Sequence, residues 1–542
     1  MLLLGILILV LAIPLASVYL SAILIHRMAF LILLYAGLLS MFATSIMSID
    51  SGIGIFGGLF QITLLSQSFD AFIFLVASII ILLGETLSNN NSNLAINTNT
   101  NTNSSFFTNS NGLINTVDTA GNSRSIKLDS NTKLASLTNY PFVILFTTLG
   151  MSTLISSNDL VTMFLGIELQ SLALYILATM YRDSESATSA GLKYFLLGAL
   201  SSAIILLGSS LIYAYSGLTN FESLYILASS LITSEGDIFG LGGIGLGALI
   251  LIIGLLFKIA AAPLHNWAPD VYDGVPTYVT TWLAVMPKVS ILLFMAEFTQ
   301  IIIYNFSGVN ILLLLSAFLS LTVGTTVGLA QYKIKRLLAY STISHVGFML
   351  LALAMNSASG IESFLFYIVQ YTLTSVNLFQ LILAFGYLIQ SHSNNNKLSI
   401  YSPVQLISQF KGQFLLNPLL SICLVLSLFS MAGIPPLIGF FGKQMVLYAT
   451  VHNGYFFLAL VAILTSVISA VYYLKVIKVL YSDQDTNTLS QLNNNNTSSN
   501  LVISDVHAFV ISTISLFILT YILNPTPILN SIHLIALYFY YW

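Results

Sequence analysis

Apolar runs of 18 or more residues recur along this chain from one end to the other, and no other property narrows its possible folds as much. Each run is long enough to cross a hydrocarbon layer about 30 Å thick as a helix, which rises about 1.5 Å per residue. A soluble protein would have to bury all of these helices in one core, and the charge content excludes that. Only 6% of the residues are charged, against about a quarter in soluble domains, so lipid is the solvent. Transmembrane β-barrels are excluded too, since their strands are short and alternate in polarity. The pattern predicts an all-α membrane protein of about 14 spans, centred near residues 12, 38, 78, 148, 170, 203, 253, 288, 320, 346, 376, 425, 467 and 514.

Five segments follow. Residues 1–87 hold spans 1–3, and residues 88–139 form an Asn-, Thr- and Ser-rich tract too polar to bury a core, which predicts a disordered loop. Residues 140–306 hold spans 4–8 and residues 307–481 hold spans 9–13. Residues 482–542 open with a second polar tract, Ser482 to Asn500, and end in span 14 and a tail. The first run begins without a basic stretch or a clear cleavage site, so it reads as a retained helix rather than a signal peptide.

Of 16 Lys and Arg residues, 12 fall in connections: Arg27; Arg124, Lys127 and Lys133; Arg182; Lys333, Lys335 and Arg336; Lys397 and Lys411; Lys475 and Lys478. These are the connections after spans 1, 3, 5, 9, 11 and 13, all on one side of the membrane. The positive-inside rule makes that side the cytoplasm or the mitochondrial matrix and puts both termini on the other. One span more or fewer would scatter these charges over both faces, so their segregation supports the count.

The other four, Lys193, Lys258, Lys288 and Lys443, fall within spans 6, 7, 8 and 12. A lysine at bilayer depth costs about 2.5 to 3.5 kcal/mol, so each needs a reason. Snorkelling from a helix end is one, and it fits Lys193 best, three turns after the Arg182 connection. For Lys288 another is the carbonyl that Pro287 frees. Proton transfer is the reading that covers all four. Its acidic partner is Glu168, set in the apolar run of span 5 and the one carboxylate that fits neither a loop nor a helix end. Asp159 looks like the N-cap of span 5, and Glu85, Glu297 and Glu362 lie near span ends. Burial weakens a lysine's hold on its proton and a nearby carboxylate strengthens it. At 4 Å and an effective dielectric constant of 20 that pair interacts by about 4 kcal/mol, enough to switch a lysine between holding and releasing a proton. His265, seven residues after Lys258 on a similar helical face, and His345, in span 10, are candidate relays.

Pro and Gly interrupt two spans beside these lysines. Span 7 carries Pro263 just after Lys258, and span 12 carries Pro435 and Pro436 just before Lys443. Interrupted helices at membrane depth mark transport sites. The segments PLHNWAPD and PLIGFFGK share Pro-Leu and an aromatic three residues on. Spans 4–8 and 9–13 would each be a unit of five, and an odd count inverts the second copy, the plan of two inverted repeats with broken spans 7 and 12.

Other chemistries find little support. Two G-x-G-x-x-G matches, at Gly52, Gly54, Gly57 and at Gly240, Gly242, Gly245, neither follow a soluble strand nor open a helix within a βαβ unit. The chain offers no metal-ligand cluster, no P-loop and no nucleophile beside a base. Its single cysteine, Cys423, cannot hold an iron–sulfur cluster, and no basic stripe is present to bind nucleic acid.

The stretches FKIAAAPLHNWAPDVYDGVPTYVT, LGIELQSLALYIL, LKYFLLGA, KRLLAYSTISHVGFMLL and AGIPPLIGFFGKQ resemble, in the family's order, the antiporter-like membrane subunits of NADH:ubiquinone oxidoreductase (respiratory complex I), a family shared with Mrp-type cation/proton antiporters. The resemblance covers roughly residues 140 to 480. Pro269 to Thr277 and Lys443 match the subunit 2 branch in particular. It implies that Glu168 and Lys258 form the charge pair of a first half-channel, modulated or extended by Lys193. Lys288 would connect laterally, through His345, to Lys443 on the exit side of the second half. It also implies water chains, neighbouring antiporter-like and other membrane-arm subunits as partners, and no cofactor in this chain, with NAD, FMN, iron–sulfur clusters and ubiquinone handled by partner subunits. The Asn-rich insertion at residues 88–139 departs from the family's pattern. Its composition suits an AT-rich organelle genome, and a fungal mitochondrial inner membrane is the expected location.

Three functional readings remain at this point. The first is a proton-translocating subunit driven by electron transfer in its partners. The second is a stand-alone Mrp-type cation/proton antiporter. The third is a structural spacer, which would tolerate loss of Lys258 or Glu168.

Overall fold

The computed structural model describes residues 1–15, 22–45, 52–98, 116–117, 123–124, 130–181, 184–233, 238–303, 307–392, 404–482 and 504–541. Among these the chain is almost entirely helical. The first helices are α1 (Leu2–Leu15), α2 (Ala22–Ala43), α3 (Leu64–Thr98), α4 (Ser130–Ile155), α5 (Leu160–Thr179), α6 (Glu185–Ser216) and α7 (Phe221–Thr233). There follow α8 (Ile238–Lys258), α9 (Trp267–Gly274), α10 (Thr277–Ile303), α11 (Ser307–Leu329), α12 (Ile334–Ala354) and α13 (Ala358–His392). The last are α14 (Gln413–Leu416), α15 (Pro418–Ala432), α16 (Ile438–His452), α17 (Phe456–Tyr481), α18 (Asp505–Thr520) and α19 (Thr526–Tyr541). Two small antiparallel hairpins accompany them: Ile53–Ile55 with Phe60–Ile62, and Thr116–Val117 with Ser123–Arg124.

Each of the expected span centres falls inside a helix. Ten helices among the described residues are long and apolar enough to cross a membrane, so this is a multi-span membrane protein. Four expected spans are served by shorter apolar stretches of helix among the described residues: Leu2–Ala12, Asn139–Ile155, Gly242–Lys258 and Pro418–Ala432. Two of these end where the chain breaks. Beyond Lys258 a non-helical stretch leads to α9, and beyond Ala432 another leads to α16, so the expected spans 7 and 12 are each two helices. Of the tract 88–139, the described parts are the end of α3, the start of α4 and the second hairpin, and the rest lies outside the described residues. So does the tract after Ser482, up to residue 503.

Position in the bundle follows from burial. The apolar window of α10 is 100% buried and that of α12 is 94% buried, whereas those of α6, α17 and α18 are buried by less than half, so α10 and α12 form the centre. On α6, Leu192, Leu196 and Leu200 recur every four residues and stay exposed, a stripe facing outward for lipid or a neighbour. The opposite face of α6 packs on α8 through small residues. A Cβ at Gly208 would stand 2.6 Å from the Leu251 amide and 2.8 Å from the Gly247 carbonyl, so only glycine lets these backbones meet.

Leucine at position 208 should therefore force α6 and α8 apart, costing more than the 1 to 3 kcal/mol or so of ordinary overpacking. Alanine at the open Gly242, which has nothing within 4 Å, should be tolerated. Native electrophoresis of membranes carrying each variant checks this, with protein lost for Gly208→Leu and retained for Gly242→Ala.

Candidate functional site

Helix α8 stops at Lys258 because the following Ala-Ala-Ala-Pro segment leaves the helix, with Ala260 at φ +61°. The Phe257 carbonyl left at that end accepts the indole N–H of Trp267 at 2.9 Å, which ties the broken end to α9. Lys258 is thereby held inside the bundle, its side chain 7% exposed. Its Nζ lies 3.6 Å from Glu168 Oε1 on α5 and donates to Ser202 Oγ on α6 at 3.0 Å. Glu168 Oε1 has no hydrogen-bond partner, so the ammonium charge is what faces it. At this distance and an effective dielectric constant near 20 the pair attracts by about 4 kcal/mol. A cavity of 20 Å³ lined by Ser171, Tyr175, Ser201, Lys258 and Trp267 adjoins the lysine, room for about one water molecule. The N-terminal end of α5 is capped by Asp159, whose Oδ1 accepts from the Val161 amide at 2.8 Å.

Two residues beyond Glu168, Gln170 leads from α5 to α10. It accepts from Ser290 Oγ at 3.0 Å and donates to the Pro287 carbonyl at 3.4 Å. Lys288 stands between these contacts. It is 2% exposed, donates to Thr342 Oγ1 on α12 at 2.9 Å, and has the Tyr272 ring 5.6 Å away. The carbonyl that Pro287 frees, four residues back at Leu283, is taken by the Tyr272 hydroxyl at 3.4 Å rather than by the ammonium.

Thr342 and His345 are three residues apart on α12 and share a face. His345 is buried, its Nδ1 2.8 Å from Tyr367 Oη and its Nε2 3.3 Å from Tyr473 Oη. Lys443, on the first turns of α16, is 7% exposed and donates at 2.7 Å to the carbonyl of Ala432, the last residue of α15. The interruption at Gly433 to Leu437 thus supplies the acceptor. Gly433 has φ +85°, and a Cβ there would come within 2.8 Å of Lys443 Cδ, so glycine serves both the turn and the lysine. The Phe348 ring, 5.5 Å from Lys443 Nζ, stacks on Tyr367 and so returns to His345.

Two sequence candidates stand apart from this route. Lys193 is 56% exposed on its side chain and pairs with Asp270 at 3.0 Å, not with Glu168, so the structure does not bring it to the first charge pair. His265 does not share a helical face with Lys258, because the helix ends at that lysine. It lies in the break, its ring 6.3 Å from Tyr340. Pro263, in the same break, and Pro435 and Pro436, in the second, stand in non-helical stretches beside the two lysines.

Around α9 is an ionic cluster that sequence reasoning passed over. Asp270 takes Lys193 on one oxygen and Arg336, at 2.6 Å, on the other, while Asp273 takes Lys333 at 2.7 Å. Lys335 is 2% exposed and donates to the Val275 carbonyl at 2.7 Å, so a residue that reads as a connection charge is buried as deeply as Lys288. The available signal was the pair of acids three residues apart in PDVYDG. Partial burial pushes the Asp270 carboxyl up, but the hydrogen bond and charge of Lys193, with Arg336, outweigh it and hold the carboxyl below the usual carboxylate range.

Comparison with known proteins places this geometry among relatives. The family model described as NADH:quinone oxidoreductase/Mrp antiporter, TM, matches residues 157–469. The chain is 52% identical to the NADH-ubiquinone oxidoreductase chain 2 of Rhizopus oryzae, over 100% of both chains. It is 40% identical to the NADH-quinone oxidoreductase subunit N of Rhodospirillum rubrum, over 65% of this chain and 69% of that one. Among solved structures, a chain of respiratory complex I from Thermus thermophilus matches with a TM-score of 0.69 and 25% identity, covering 98% of this chain and 99% of that one. A chain of the Mrp complex of Dietzia shares the fold, with a TM-score of 0.73 at 18% identity over 99% of this chain and 96% of that one.

The Asp270 contacts have a pH dependence of known sign. A carboxylate held below its unfolded value adds stability that is full above that value, about pH 4, and is lost as the pH falls through the lower folded value. Hydrogen exchange of the α9 amides should stay protected at pH 5 and rise below about pH 4. Asp270→Asn should expose them at neutral pH.

Proposed function

Because this chain belongs to the NADH:quinone oxidoreductase/Mrp antiporter family of membrane proteins, we propose that it is a proton-translocating, antiporter-like subunit of the membrane arm of respiratory complex I in the mitochondrial inner membrane. The observation that carries this reading is the set of buried ammonium groups, Lys258, Lys288 and Lys443, each held at a hydroxyl, carboxylate or helix-end carbonyl inside the bundle. An ammonium at such depth is expensive unless it is used.

Each lysine would serve as a proton-holding station. The charge of Glu168 stabilises the ammonium of Lys258, and a displacement or protonation of Glu168 removes that support. The released proton has a receiver within reach in Ser202 or in water in the adjoining cavity. Gln170 and Ser290 connect the first station to Lys288, and Thr342 and His345, with its two tyrosine hydroxyls, connect Lys288 to Lys443. Lys193, with Asp270, would act on the first pair at a distance, and His265 would relay protons within the first break. Hydroxyl groups and water can pass a proton without a net charge crossing the apolar interior.

The finer architecture belongs to the same proposal. The ten long helices and four of the five shorter ones, at residues 2–12, 139–155, 242–258 and 418–432, make 14 spans, and the fifth, Thr526–Phe539, is the tail. Residues 140–306 and 307–481 form two inverted five-span units, supported by the two helix breaks in corresponding places. The basic connections face the matrix and both termini face the intermembrane space. Redox chemistry with NAD, FMN, iron–sulfur clusters and ubiquinone lies in partner subunits, while this chain contacts lipid and neighbouring membrane-arm subunits.

In assembled complex reconstituted into vesicles, Glu168→Gln and Lys258→Met should each lower NADH-driven proton transport about tenfold or more, as expected for losing a few kcal/mol of charge interaction. Unchanged pumping in both would reject the proton role, and cation/proton exchange by the isolated chain would place it among stand-alone antiporters.

A further inference from the structure

The end of the bundle away from α9 holds a cavity that the lysine route does not use. Helix α12 starts beside the α9 ionic cluster, where Arg336 meets Asp270, and its 21 residues carry it about 30 Å to the opposite end. There a cavity of 520 Å³ opens among the last turns of α4 and α10, the start of α7 and helix α19. Membrane-crossing helices end at the bilayer surface, so this cavity lies at headgroup depth. Main-chain hydrogen bonds tie its wall together. The Asn158 amide donates to the Leu59 carbonyl at 3.0 Å, the Gln61 amide to the Ser156 carbonyl at 2.8 Å, and the Phe221 amide to the Asn158 carbonyl at 3.1 Å. Phe221 packs on Phe294 and on Phe298, each with ring centroids 5.9 Å apart, which gives the cavity an aromatic side.

The charge of the lining has one sign. Glu222, on the first turn of α7, and Glu297, on α10, both line the cavity, and no Lys, Arg or His is among the described residues that do so. Glu222 accepts from Asn158 Nδ2 at 3.3 Å, and neither carboxylate forms an ion pair among the described residues. A cation is therefore the complementary occupant. The mouth adds a second requirement. Tyr225, Ile226 and Tyr538 also line the cavity and are 48%, 66% and 42% exposed, an amphipathic rim of the kind that suits the bilayer interface. A bare metal ion would leave that rim unused, and no group of three or more metal-binding side chains is present among the described residues. The volume falls in the range of about 300 to 1,000 Å³ found for small-ligand pockets. We propose that the cavity binds the headgroup of a zwitterionic phospholipid, a choline or ethanolamine lipid, with its ammonium toward Glu222 and Glu297 and its acyl chains leaving past Tyr225 and Tyr538. The side-chain amides of Gln61, Gln300 and Asn356, which share the lining, supply donors for the phosphate. The site goes beyond the lysine route and does not depend on it.

The test is photolabelling of the assembled complex in nanodiscs with a phosphatidylcholine that carries a diazirine near its headgroup, followed by mass spectrometry of the α7 and α10 peptides. The expected result is saturable label on those peptides that unlabelled phosphatidylcholine displaces and phosphatidylglycerol of the same chain length does not. The concentration of probe giving half-maximal label should rise about tenfold in Glu297→Gln, which removes a charge facing the ammonium. It should stay in place in Glu185→Gln, at the start of α6, where the neighbouring Ser186 packs against α9. Three results would overturn the proposal: no saturable label on these peptides, which is also the result if a partner subunit fills the cavity; equal displacement by phosphatidylglycerol; or label in both Glu222→Gln and Glu297→Gln as tight as in the unaltered chain. If the variants do not assemble, the displacement pattern of the unaltered complex still decides. Pumping is not the readout, so failure here and failure of the lysine route are distinguishable.

Discussion

An ammonium group inside an apolar helical bundle must have an acceptor, and the arrangement of the helices around the centre follows from meeting that need three times. Lys258 has Glu168 and Ser202, Lys288 has Thr342, and Lys443 has the end carbonyl of α15. Continuous helices offer few free acceptors in the membrane interior, because their carbonyls are consumed four residues on. The two breaks solve this differently. At the first, the carbonyl of Phe257 takes both the Ala260 amide and the Trp267 indole, and the lysine looks across to α5 and α6. At the second, the loose carbonyl of Ala432 goes to the lysine itself.

The α9 segment joins the two halves of the chain through charge. Asp270 is held by Lys193 from the first half and by Arg336 from the second, and Asp273 and the Val275 carbonyl take Lys333 and Lys335. A shift of α12 relative to α6 would have to break or stretch these contacts, and it would also move Thr342 and His345, which lie on the same helix. The same segment returns the Trp267 indole to the end of α8. Events at the first charge pair and at the central lysine are therefore mechanically connected through one short helix.

Much of this was legible in the chain because a charge in an apolar run stands out. Glu168, Lys258, Lys288 and Lys443 were visible for that reason, and the proline and glycine runs beside two of them marked the breaks. What stayed hidden depends on contacts across long sequence separations. Lys335 reads as one more connection charge until Val275, 60 residues earlier, comes beside it. Lys193 reads as buried until Asp270 draws it to the exposed end of α6. Asp70 follows polar residues at the start of α3, so its burial has no local signal. Periodicity misplaced His265, because a helical face means nothing once the helix has ended at Lys258. Pro287 frees a carbonyl as expected, but tertiary packing gives it to Tyr272.

The central claim is that the spaces between these stations conduct protons. A structure of the assembled complex at a resolution that orders water tests it most directly. The account predicts ordered water linking Glu168 and Lys258 to Lys288 by way of Gln170, and Lys288 to Lys443 by way of His345. Dry apolar packing across those gaps, with each lysine sealed against its acceptor, would contradict it.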